Sequence, residues 1–126
     1  MTFVIEMRPR ERVIIDTATL DELFRRLGDR GAEDFVMETV EGISDTLAVV
    51  DGLVRANRLD EIPPHAHRVS RLSAEIGLTS LARVSRDIGL AARRGDTVAY
   101  RAVWERLVRI GDRSLAQVWE TPGLSI

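Results

Sequence analysis

The sequence predicts an all-α protein, an antiparallel four-helix bundle with a short N-terminal helix lying across one end. Three observations lead there. Val36, Val40, Ile43, Leu47, Val50 and Val54 alternate spacings of four and three, which is the seam of a helix packed along its whole length. Gly28, Pro63-Pro64, Gly77 and Gly95 punctuate the chain into segments of bundle-helix length. After residue 15 no segment reads as a strand.

Residues 1–15 form an N-terminal arm. Phe3, Val4 and Ile5 make one apolar patch and Val13, Ile14 and Ile15 another, with the charged run Arg8-Pro9-Arg10-Glu11-Arg12 between them. Pro9 opposes a continuous helix, so the arm is expected to be extended or a short strand packed on the body, with the arginines in a solvated linker. The bundle occupies residues 16–120, and residues 121–126 are a C-terminal tail.

Asp16 or Thr17 caps a first short helix carrying Leu20, Leu23, Phe24 and Leu27; Gly28 stops it, and Asp29-Arg30-Gly31 is expected to be a turn. The second helix runs from about Ala32 to Arg58. Pro63-Pro64 suits the start of a third, which continues to Ile76 and is broken by Gly77. Leu81, Val84, Ile88 and Ala91 mark a fourth, closed by Arg93-Arg94-Gly95. Asp96 or Thr97 caps the fifth, with Trp104, Val108, Leu115 and Val118 on one line and Val103, Leu107 and Ile110 beside it. That wide apolar face predicts a central position for the last helix.

Composition narrows the class of function. The chain has 126 residues, enough for one domain with a core of its own, and its 44% hydrophobic and 30% charged residues suit a globular chain rather than a disordered one. With no cysteine, disulfides and thiolate metal sites are excluded. The net charge of −2 gives no overall basic field of the kind nucleic-acid binding uses. Every basic residue is arginine. No apolar run approaches the roughly 20 residues needed to span a bilayer, and the start of the chain lacks the pattern of a secretion signal, so a cytoplasmic protein is expected.

The residue that stands out is His67. On a helix at about 100° per residue, Val69, Leu72 and Ile76 lie about 200°, 140° and 180° away from it, so the apolar stripe is opposite and His67 faces water. Its expected companions on that face are Ser70, Arg71, Ala74 and, one turn on, Leu78, with Arg68 at the edge. His65, about 200° from His67, returns to the core side, so a shared metal is not expected. Ser70 with His67 as base would form a hydrolytic pair, but no neighbouring residues supply an oxyanion hole, and the convex outside of a bundle is a poor place for a pocket. An exposed imidazole beside a hydroxyl and a guanidinium can accept a phosphoryl group, being a good nucleophile when neutral. From spacing alone two alternatives stay open: a phosphoryl acceptor, and a surface histidine with no role.

A set of ordered motifs resembles the histidine-containing phosphotransfer (HPt) domain family. Ala66-His67 is followed by Val69, a run of small and polar residues, and Ile76-Gly77 ten residues after the histidine. Upstream, Ile15-Asp16 with Leu20, Leu23, Leu27 and Gly28 is similar to the family's opening helix. Downstream, Leu81 through Ile88 and Arg94-Gly95-Asp96 are similar to its fourth helix and the following turn. The resemblance spans about residues 15–119 and implies the same bundle.

It also implies that His67 takes a phosphoryl group from the aspartyl phosphate of a response-regulator receiver domain and passes it to another, in a bacterial-type two-component phosphorelay that includes a hybrid histidine kinase. The chain would then be a phosphocarrier rather than an enzyme, with no cofactor of its own, the Mg²⁺ belonging to the receiver. The implied receiver-docking surface is Pro64, Arg68, Arg71, Ala74 and Leu78. The family usually has lysine three residues after the histidine and glycine four after; here these are Ser70 and Arg71, which take the role of assisting the phosphate. The alternative is an HPt-like adaptor that binds a receiver or histidine kinase without carrying phosphate. Neither nucleic acid nor membrane is an expected partner.

Overall fold

The computed structural model describes residues 13–120, and among them the architecture is all-α. Helix α1 is Thr17–Arg55, a 3₁₀ turn covers Leu59–Glu61, and α2 (Ile62–Glu75), α3 (Thr79–Arg94) and α4 (Thr97–Trp119) follow. The N-terminal patch and charged run of residues 1–12, and the tail 121–126, lie outside the described residues.

Helix α1 begins where the sequence places it. The Asp16 carboxylate accepts from the Ala18 N–H at 3.1 Å and the Thr19 hydroxyl at 3.0 Å, satisfying a donor the first turn leaves orphaned. Gly28 breaks α1 with φ 77° and ψ 169°, a backbone state open essentially to glycine alone. The expected turn over Asp29-Arg30-Gly31 is absent: one glycine outside helical geometry redirects the chain, and helix resumes at once. At the far end α1 stops at Arg55, three residues before the expected Arg58. Asn57 adopts φ 58°, and Arg58 N–H returns to the Leu53 carbonyl at 2.9 Å. Asparagine is among the few residues that tolerate this left-handed state.

Val13–Asp16 is non-helical and is tied to the α2–α3 connection. Ile14 N–H donates to the Ser80 hydroxyl at 2.7 Å, and Asp16 N–H to the Gly77 carbonyl at 2.8 Å. Leu20 and Leu23 bury themselves just beyond. The stretch of α1 before Gly28 therefore sits over one end of the bundle, at the α2–α3 turn.

The α2–α3 turn is a Schellman motif. Gly77, at φ 78°, lets Leu78 N–H reach the Ser73 carbonyl at 2.8 Å and its own N–H reach Ala74 at 3.2 Å. At the other end, Gly95 at φ 66° closes α3, and the Asp96 side chain caps α4 by accepting from Ala99 N–H at 3.0 Å.

Cross-helix contacts establish the antiparallel packing. Gly42 approaches Leu72 while Thr46 meets Arg68, Ala66 approaches Gly89 while Ser70 meets Arg86, and Asp87 pairs with Arg106 while Leu81 lies by Gly111. Helix α2 packs between α1 and α3, and α3 between α2 and α4. The last helix is therefore an outer helix rather than a central one, packing chiefly on α3. The central role falls to α3, whose Ala82, Ser85, Gly89 and Ala92 are small and buried and allow close approach on both sides. On α4, Val108 remains exposed, so part of its wide apolar face serves no packing. The shared core comprises Val36, Ile43 and Val50, then Ile62, Val69 and Leu72, then Leu81, Val84 and Ile88, closed by Leu107, Ile110 and Val118.

Candidate functional site: the outer face of α2

Helix α2 owes its orientation to a one-sided pattern. Ile62, Ala66, Val69, Leu72 and Ser73 are buried, and Ile76 follows them inward. Opposite, His67 is exposed, as its position on the helical wheel requires. Pro64, Arg68, Arg71 and Ala74 are exposed with it. His65 is half-buried on another side of the helix, and the two imidazoles do not converge.

Two residues expected on this face are not there. Leu78 is fully buried: positive φ at Gly77 ends the helical register, and the residue after the motif turns into the core instead of extending the stripe. It cannot contribute to a docking surface. Ser70 is also buried, at 6% exposure, because it lies at the seam with α3, where its hydroxyl accepts from Arg86 Nη1 at 3.2 Å. A hydroxyl so placed is covered by a guanidinium rather than open to an incoming phosphate.

Arg71 is where it was expected, but it is engaged. Its Nη1 lies 3.1 Å from Glu75 Oε1, one turn along the same helix. Arg68 turns the other way, toward α1, where its Nε donates to Thr46 Oγ1 at 3.2 Å. The Thr46 hydroxyl in turn donates to the Gly42 carbonyl at 2.7 Å, so both of its functions are used. The guanidinium lies close over Gly42, where an added Cβ would stand 3.7 Å from Arg68 Nη2.

Thr46 and Arg86 were not among the candidates drawn from the sequence. Each comes from another helix, and which residues of α1 and α3 oppose His67 depends on interhelical register, which one strand of sequence does not encode. No local signal marks them: Ser70, at about 60° from His67 on the wheel, reads as a residue of the exposed face.

Charge is unevenly distributed among the helices. Helix α1 carries nine carboxylates against four arginines, whereas α2 and α3 together carry six arginines against two carboxylates. Helices α2 and α3 are thus net basic beside an acidic α1, in a chain that is acidic overall.

Neither of two clefts among the described residues includes His67. A cleft of about 600 Å³ opens between the α1–α2 and α3–α4 connections, lined by Asn57, Leu59, Asp60, Pro63 and Arg93 among others, and ends a turn short of it. A groove of about 260 Å³ between α3 and α4 is lined by Asp87, Leu90, Arg94 and Val103, also without His67. Among the described residues no three His, Asp or Glu side chains gather as a metal site, and no described helix is long and apolar enough to cross a membrane. His67 itself is a solvent-accessible imidazole on the outer side of a helix packed between two others. No protein-family model, curated protein or solved structure matches this chain.

Proposed function

We propose that the protein is a histidine phosphotransfer protein in which His67 carries a phosphoryl group between receiver-domain aspartates. The observation that carries this proposal is the exposure of His67 on α2 with Val69, Leu72 and Ile76 buried behind it. Such an imidazole is fixed in place by the core yet open to a partner across its whole outer face.

The transfer needs little from this chain. A lone pair on one imidazole nitrogen forms the N–P bond while the P–O bond to the partner's aspartate breaks, returning a carboxylate. The other ring nitrogen gives up its proton to solvent. Receiver, Mg²⁺ and acidic pocket come from the partner, so the convex site is compatible with the chemistry. The basic α2–α3 surface favours an acidic partner face and speeds the encounter through electrostatic steering. A cytoplasmic place in a bacterial-type relay with a hybrid histidine kinase belongs to the same proposal, and it requires neither nucleic acid nor membrane.

A second reading rests on a separate observation. Glu75 pairs with Arg71 and brings a carboxylate to the edge of the stripe, where it opposes an incoming dianion. An adaptor that binds a receiver or kinase without carrying phosphate would tolerate that arrangement.

The deciding experiment incubates the protein with receivers phosphorylated on aspartate. Phosphotransfer gives label that is stable in alkali, lost in acid and missing from His67→Gln. Complexes without label, formed equally well by His67→Gln, support the adaptor instead. Label that persists in His67→Gln refutes the assignment of His67.

A further inference from the structure

We infer that Arg68 and Arg86 form a two-sided guanidinium clamp for the phosphoryl group on His67, an inference that rests on the phosphotransfer reading above. Their anchors lie on opposite sides of the His67 helix. Arg68 is anchored on Thr46 of α1 and Arg86 on Ser70 at the α3 seam. On the α2 wheel Arg68 stands about 100° to one side of His67 and Ser70 about 60° to the other, so the anchors straddle the imidazole. Residues three apart on a helix have Cβ atoms about 5–6 Å from each other, which brings the Arg86 head group, 3.2 Å from Ser70 Oγ, within about a turn of the ring.

The anchors also leave the charge intact. Among the described residues Arg25, Arg55, Arg58, Arg71 and Arg106 each pair with a carboxylate, whereas Arg68 and Arg86 bond to neutral hydroxyls. A guanidinium carries five N–H donors. Each of these two is held at one corner by an oxygen that does not neutralise it, and it keeps most of its donors for an anion. Arg71, the expected phosphate-assisting cation, is instead compensated by Glu75. Ser70 contributes indirectly, as the tether that keeps Arg86 beside the face. A phosphoryl dianion projecting from His67 would find charge-assisted donors on both flanks.

The test uses phosphoramidate, a small donor that needs no receiver. Its P–N bond breaks as the imidazole nitrogen bonds to phosphorus. The ring's other nitrogen supplies the proton with which ammonia leaves as ammonium. Uptake by the wild type is compared with Arg68→Gln, Arg86→Gln, Arg86→Lys, Arg55→Gln and His67→Gln, with circular dichroism confirming that each is folded. Each clamp variant is expected to take up phosphoryl about fivefold more slowly at low salt, the double variant more slowly still, and Arg86→Lys to recover most of the loss. Arg55→Gln, at the end of α1 and paired with Asp51, should match the wild type. In ³¹P NMR the phosphohistidine resonance of the clamp variants should titrate at higher pH, because a neighbouring cation that favours the dianion has gone; a merely structural residue would leave that titration where it was.

Wild-type rates in both clamp variants, with His67→Gln inert, would overturn the clamp and leave phosphotransfer standing. A wild type that takes up phosphoryl neither from phosphoramidate nor from receiver aspartyl phosphate would overturn both.

Discussion

Gly77 joins the site helix to the rest of the bundle, and replacing it with alanine measures how firmly. Gly77 has φ 78°, and a Cβ there would stand 2.5 Å from the Asp16 carbonyl oxygen and 3.3 Å from Thr19 Cβ. The left-handed backbone alone costs a non-glycine residue about 1–2 kcal/mol. The obstructing atom is backbone, so relief means shifting the start of α1 and weakening the 2.8 Å hydrogen bond from Asp16 N–H to the Gly77 carbonyl, about 1 kcal/mol more. Partial exposure of Leu20 and Leu23 adds to this, bringing the total to about 3–4 kcal/mol, a large share of the roughly 5–15 kcal/mol that holds a domain together. At about 4 °C per kcal/mol, Tm should fall by about 12–16 °C. Gly95 provides the control, since it has a similar φ of 66° and nothing within 4 Å of an added Cβ. Gly95→Ala should incur only the conformational cost, about 1–2 kcal/mol. Both are read by thermal melts followed by circular dichroism. Equal losses in the two variants would refute the reasoning, showing that the contact with Asp16 relaxes without cost and that the α2–α3 turn does not hold the N-terminal segment.

Three further perturbations separate core from surface. Leu78→Ala should lose about 2–4 kcal/mol in urea titration because its side chain is fully buried, whereas Ala74→Ser on the exposed face should stay within about 0.5 kcal/mol. Tyr100→Phe removes a buried hydroxyl that donates to Asn57 Oδ1 at 3.0 Å; a loss of about 1 kcal/mol in the same titration is expected. Asp96→Ala removes the α4 cap and should cost about 1 kcal/mol, seen as a lower melting temperature and faster amide exchange in the first turn of α4.

What the sequence shows well are features decided within one or two turns of chain. Asp16 and Asp96 are capping residues with donors in reach, Gly95 is left-handed, and the four-and-three spacing of Val36 through Val54 places Val36, Ile43 and Val50 in the core. The outward direction of His67 is of this kind, since it follows from the residues on its own helix. The errors arise where one element depends on another. A helical wheel carried past Gly77 puts Leu78 on the surface, but the positive φ at Gly77 resets the register and sends it inward. Ser70 reads as exposed until α3 is placed beside it. The last helix looks central from its count of apolar residues, yet small residues on α3 permit the closer packing. Tyr100 shows the same limit, because the acceptor for its hydroxyl is Asn57, more than forty positions earlier.

The same division bears on how a site on the outer face of a helix could work. Helix α2 is flanked by α1 and α3, entered through Pro63 and terminated by the Gly77 motif, so the backbone beneath His67 has little freedom to move. Pre-organisation on this surface therefore lies in the platform rather than in a cavity. A convex face cannot exclude water, so it cannot strengthen electrostatic contacts by desolvation in the free protein. Charges anchored beside the imidazole become more effective only when a partner covers them. Thr46 and Ser70 hold Arg68 and Arg86 in place without neutralising them, and a partner closing over the proposed site would supply the low dielectric. A carboxylate anchor, as Glu75 provides for Arg71, would secure the side chain but cancel the charge before the partner arrived. Among the tethered arginines, the choice of hydroxyl or carboxylate thus separates those whose charge stays uncompensated from those paired along the helix surface.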